Sequence, residues 1–171
     1  ELNKTVFSVL LFAPRKVSEE EYNNACLFLE ENISIAEQFI DINNISKFND
    51  LIEIIEMELP SLSGYCTDRA NNILKKVKKI SKRHNNYIEA KTAFQEATNN
   101  CQSINQYRLP IRKIVFDYEF YLVSQLIEKK DYDKANNCIK GIEQQINVLT
   151  SIKEKKDLIN SLDDLKINSF V

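Results

Sequence analysis

Few residues in this chain could do covalent or metal chemistry. It carries one histidine, His84, and four cysteines at positions 26, 66, 101 and 138. A Ser–His or Cys–His nucleophile would have to use that imidazole, and Asn85-Asn86 beside it offer nothing to activate it. The cysteines form no C-x-x-C pair, so no zinc motif can be assembled from them and one histidine. A di-iron bundle needs two Glu-x-x-His motifs, which a single histidine rules out. Two glycines leave no phosphate-cradling loop. The acidic run Glu19-Glu20-Glu21 fits a helix N-terminus, where negative charge opposes the macrodipole. The expectation is a non-catalytic chain with no cofactor and no metal.

Charge is the stronger feature. The net charge is −2, but residues 1–58 carry −8, residues 59–113 carry +8 and residues 114–171 carry −2. The basic segment centres on KKVKKISKR, with Lys75, Lys76, Lys78, Lys79, Lys82 and Arg83. With Ile73, Leu74, Val77 and Ile80 these make a basic amphipathic helix. Such a face suits nucleic-acid phosphates, an anionic membrane surface or an acidic protein. Arginine is scarce in it and no aromatic residue is interleaved for base stacking, which favours a merely solvated face beside the acidic first helices.

The stretch Thr5 to Ala13 (TVFSVLLFA) is apolar on all sides, yet far shorter than the ~20 residues of a membrane span. It is expected to be buried in the core or against a partner through Val6, Phe7, Leu10 and Leu11. The sequence opens on Glu1 instead of Met, which reads as the start of a fragment or the residue after a removed segment.

Helical periodicity runs through the rest. Two glycines and three prolines are too few for an all-β fold. Ser18 and Glu21 form a capping box ahead of Tyr22, Cys26, Leu29, Ile33, Ala36 and Ile40. Asn43-Asn44 stops that helix, and Ser46 is placed to cap the next, with Phe48, Leu51, Ile52, Ile55 and Leu59 inward. Thr67 or Asp68 starts a third, whose stripe slips in phase near His84-Asn85-Asn86. Two readings compete, a single helix from 68 to 107 and a break at His84-Asn85-Asn86; asparagine tolerates the left-handed conformation of a C-cap, which favours the turn. Leu109-Pro110 ends the segment before it, and a stripe of Ile111, Ile114, Val115, Tyr118, Leu122 and Leu126 follows. A polar turn at Lys129-Lys130-Asp131 precedes Ala135, Cys138, Ile139, Ile142, Ile146 and Leu149. Ser151 and Glu154 form a second capping box before Leu158, Leu162 and Leu165.

Tyr-x-x-Ala-x-x-x-(bulky apolar) occurs three times, as Tyr22/Ala25/Leu29, Tyr87/Ala90/Phe94 and Tyr132/Ala135/Ile139. Here the chain resembles the second helix of a tetratricopeptide repeat. In that family the alanine lets the first helix approach and the tyrosine plugs the base of the hairpin. The copies lie 65 and 45 residues apart against a repeat of about 34, and the family's tryptophan and glycine are missing. The resemblance implies helical hairpins with elongated helices, not a regular array.

The fold expected is all-α, an antiparallel helical bundle or short irregular stack of helical hairpins, with about seven helices in a single domain over residues 1–171. The function expected is a protein–protein interaction scaffold. The rival readings are an inhibitor or immunity-type protein that blocks one partner, and a binder of nucleic acid or an anionic surface through residues 75–83. Oligomeric state stays open. Thiols on apolar stripes favour a reducing, cytoplasmic setting. A turn at Asn85-Asn86 would instead level Cys66 with Cys101, and a disulfide between them would imply a secreted or periplasmic protein.

Overall fold

The computed structural model describes residues 17–169; the apolar segment with Val6, Phe7, Leu10 and Leu11 lies outside them. Among the described residues there are six α-helices and no strand: α1 (Glu19–Phe39), α2 (Ile45–Glu58), α3 (Asp68–Asn99), α4 (Leu109–Glu128), α5 (Tyr132–Asn147) and α6 (Ile152–Ser169). Short 3-10 helices cover Ile42–Asn44, Leu59–Leu62 and Cys101–Gln106. The protein is all-α. The chain divides into two compact units, residues 1–88 and 89–171.

In the first unit α1 packs on α2, and the early turns of α3 close the core. Ser18 caps α1 by accepting from the Glu21 amide at 3.2 Å. The expected stripe of Tyr22, Cys26, Leu29, Ile33, Ala36 and Ile40 is buried throughout. Phe48, Ile52 and Ile55 from α2, Leu59 from the 3-10 helix after it, and Ala70, Ile73, Val77 and Ile80 from α3 join it in the core. The connection differs from expectation. The capping residue is Asp41, whose carboxylate accepts from the Asn43 and Asn44 amides at 2.7 and 3.0 Å. Ser46 caps nothing, because α2 already begins at Ile45. Thr67 caps α3 through the Ala70 amide at 3.1 Å.

The expected turn at Asn85-Asn86 does not form, since α3 runs unbroken from Asp68 to Asn99. Its core stripe continues through two polar residues, Ser81 and His84, which are 0% and 3% exposed. They fill the positions at which an apolar count loses phase. His84 packs on Phe48 with ring centroids 4.7 Å apart, and its Nε2 meets the Asn49 Oδ1 at 2.6 Å. All four cysteines are free thiols. The expected Cys66–Cys101 disulfide is therefore absent.

In the second unit α4 and α5 form a hairpin and α6 packs on both. Pro110 sits in the first turn of α4, where its missing N–H costs nothing. The polar turn is where it was expected, with Lys130 left-handed at φ 60° and Asp131 accepting from the Lys134 amide. Ser151 caps α6 through the Glu154 amide at 3.3 Å. The Glu154 carboxylate takes a forked bond from Arg112 at 2.9 and 2.8 Å and so ties α6 to α4.

Candidate functional site

The core face of α4 is turned by about one residue from the stripe expected of it. Ile111, Val115, Phe116, Glu119 and Val123 are buried, whereas Ile114, Tyr118, Leu122 and Leu126 are only half-buried. A glutamate thereby enters the interior of the second unit. The α5 stripe brings a second polar residue, Gln145, between Ile142 and Ile146. Glu119 is 7% exposed and Gln145 3% exposed. The Gln145 amide donates to Glu119 Oε1 at 2.7 Å. Glu119 Oε2 and Gln145 Oε1 are buried without a hydrogen-bond partner among the described residues. Removing a carboxylate from water disfavours its charged form, and the one hydrogen bond only partly opposes this. Burial pushes the Glu119 pKa up to about 7.

Both side chains line a half-open pocket of about 500 Å³. The end of α3 contributes Phe94 and Ala97, α4 contributes Leu122, and α5 contributes Cys138, Gly141 and Ile142. Phe94 is held edge-on against Tyr118, with ring centroids 5.1 Å apart. Asn99, Asn137 and Gln144 set polar amides around this apolar wall. No arginine or lysine lines it. Gly141 lies in the interior of α5, with nothing within 4 Å of where a Cβ would stand. Neither a turn nor a close approach requires glycine there, and in a helix it costs roughly 1 kcal/mol relative to alanine. A larger side chain would instead enter the pocket.

Cys101 and Cys138 also line the pocket. The Cys138 thiol is pushed up by burial and then by the Glu119 charge, away from the thiolate that nucleophilic chemistry needs. His84 belongs to the first unit, and burial holds it below its usual pKa as a neutral core residue. Among the described residues no group of three His, Cys, Asp or Glu could hold a metal ion. No helix among them is long and apolar enough to cross a membrane. A second pocket of about 480 Å³ lies by Phe116, Phe120 and Leu158. There Arg112 and Glu154 already satisfy one another.

The basic residues of α3 belong to the first unit. Lys75, Lys76, Lys78, Lys79 and Lys82 are exposed and Arg83 half-exposed, opposite the buried stripe of Ile73, Val77 and Ile80. None of the six makes an ion pair within 4 Å among the described residues. Arg69 reaches the acidic α1 through Glu30 at 2.8 Å, and Lys76 also lowers the Glu30 pKa.

Glu119, Gln145 and Gly141 were not singled out from the sequence. The available signal was a lone glutamate within the apolar run Val115-Phe-Asp-Tyr-Glu-Phe-Tyr-Leu-Val123, four residues from a valine on either side. Comparison of the chain with protein-family models, curated proteins and solved structures finds no match in any of the three.

Proposed function

We propose that this chain is a non-catalytic protein-interaction module, a scaffold of helical hairpins that holds a segment of another protein in the pocket of its second unit. One observation carries the reading. A concave, mostly apolar pocket of about 500 Å³ is kept open by Gly141 at a cost in helix stability. Its floor presents unsatisfied acceptors, and the amides of Asn99, Asn137 and Gln144 at its rim suit a peptide backbone. The tetratricopeptide-like pattern supports the same reading: Ala90 and Ala135 are buried at 0% and 2% exposure, where small residues let helices approach.

The test is selection of a displayed random-peptide library on the purified protein and on Gly141→Leu. Leucine fills the pocket and favours the helix, so the variant should keep its circular dichroism. Peptides enriched on the wild type and lost on the variant support the reading. Equal enrichment on both, or none on either, refutes it.

A second reading, binding of an anionic partner through residues 75–83, has its own support. Six cations lie along α3 with no ion pair within 4 Å among the described residues, and no Asp or Glu occurs between Asp68 and Glu89.

A further inference from the structure

Resting on the reading of this pocket as a binding site, we infer that it takes a primary ammonium group carried on an apolar stem, seated against Glu119 and Gln145. The argument begins with what the floor lacks. Glu119 Oε2 and Gln145 Oε1 are acceptors on side chains more than nine-tenths buried, and neither has a donor among the described residues. Leaving such atoms unpaired is costly, and more so for a charged group. A ligand that brings donors recovers that cost. One that brings a positive charge also stabilises the carboxylate that the protein alone disfavours.

No group around Glu119 competes for this role. Its own helix contributes only Leu122 to the pocket, the end of α3 brings Phe94, Ala97, Thr98 and Asn99, and α5 brings Gln145 and the Cys138 thiol. Cys101 supplies the other titratable group in the lining. None of these is a cation. An ammonium group has three donors and no acceptor, which matches two oxygens that can only accept. The apolar wall of Phe94, Ala97, Leu122 and Ile142 suits the methylene stem behind it. The stem's source is either a lysine side chain of a partner segment or a free alkylamine.

Proton linkage follows from the geometry. Free Glu119 titrates near pH 7, and the ammonium binds the ionised form. Affinity therefore rises with pH and levels off above neutrality, and it falls by about tenfold from pH 8 to pH 6.

The experiment titrates the whole chain with n-hexylamine and with n-hexanol by calorimetry at about pH 6 and about pH 8. The expected result is a preference for the amine over the alcohol, and roughly tenfold tighter amine binding at the higher pH. Glu119→Gln should abolish both the preference and its pH dependence, and Gly141→Leu should abolish binding. The peptide selection separates the sources, with wild-type-specific peptides carrying lysine if a partner segment supplies the ammonium. Equal binding of amine and alcohol, no amine binding, or an amine affinity indifferent to Glu119→Gln overturns the inference. Selected peptides without lysine, together with no amine binding, would overturn the inference while leaving the interaction reading intact. Amine binding without peptide enrichment would sink that reading and keep this one.

Discussion

Replacing Glu119 by glutamine should change how stability depends on pH, and the size of the effect follows from the burial of one carboxyl. The folded chain holds the Glu119 proton to about pH 7, against an ordinary value of 4.5. Between those values the folded state binds more protons at this site than the unfolded state does. Stability is fully present below the lower value, falls as pH rises through the window, and is level above the upper one. The complete loss is on the order of 3 kcal/mol, since each pH unit across the window is worth about 1.4 kcal/mol. Glutamine keeps the shape and has no charge to bury. The variant should therefore gain on the wild type between about pH 5 and about pH 8, by roughly 2 kcal/mol. Urea unfolding followed by circular dichroism at the two pH values measures it. The compared quantity is the transition that responds to the substitution, because the chain has two compact units. Subtracting wild type from variant removes the other titrating groups. A difference that stays constant between the two pH values would refute the account of Glu119 as a buried, poorly compensated acid.

Two arginine pairs should behave differently on truncation. Arg112→Ala strands Glu154, whose side chain is 11% exposed, and should cost about 3 kcal/mol in urea unfolding. Arg69→Ala breaks a pair with side chains 40% and 37% exposed and should cost under about 1 kcal/mol. Asn85→Pro lies inside an unbroken helix and should cost about 3 kcal/mol or more, with a loss of ellipticity. A variant as stable as the wild type would restore the turn. If the basic face binds polyanions, changing Lys75, Lys76, Lys78 and Lys79 to glutamine should weaken heparin binding and flatten its salt dependence. Failure of the wild type to bind heparin at low salt removes that reading.

The fold was legible where apolar residues alone define a face. On α1 the expected stripe from Tyr22 to Ile40 is the buried one, and on α5 Ala135, Ile139, Ile142 and Ile146 behave the same way. On these amphipathic helices the polar residues mark the outside as clearly as the apolar ones mark the inside. α4 carries too many apolar residues for that. Between Val115 and Val123 only Asp117 and Glu119 are charged, so several faces fit the pattern and packing against α5 and α6 decides among them. A count of apolar residues selected Tyr118 and Leu122, while the packed helix selects Phe116, Glu119 and Val123.

Both failures of the pattern involve a polar residue taken into a core, and the two differ in consequence. His84 interrupts the apolar count of α3 and so suggested a turn, but an imidazole is already mostly neutral at pH 7 and burial asks little of it. Its Nε2 finds Asn49, and the ring serves as a flat packing surface against Phe48. Glu119 is not in that position. A carboxyl at pH 7 is ordinarily charged, so burying it either costs protonation or leaves a charge without a counterion. The one bond from Gln145 offsets only part of this. A protein needing stability alone would do better with leucine at position 119 and alanine at position 141, and the two departures from that optimum open onto the same pocket. Local rules broken at one place, with no structural return, support the binding role proposed for this pocket.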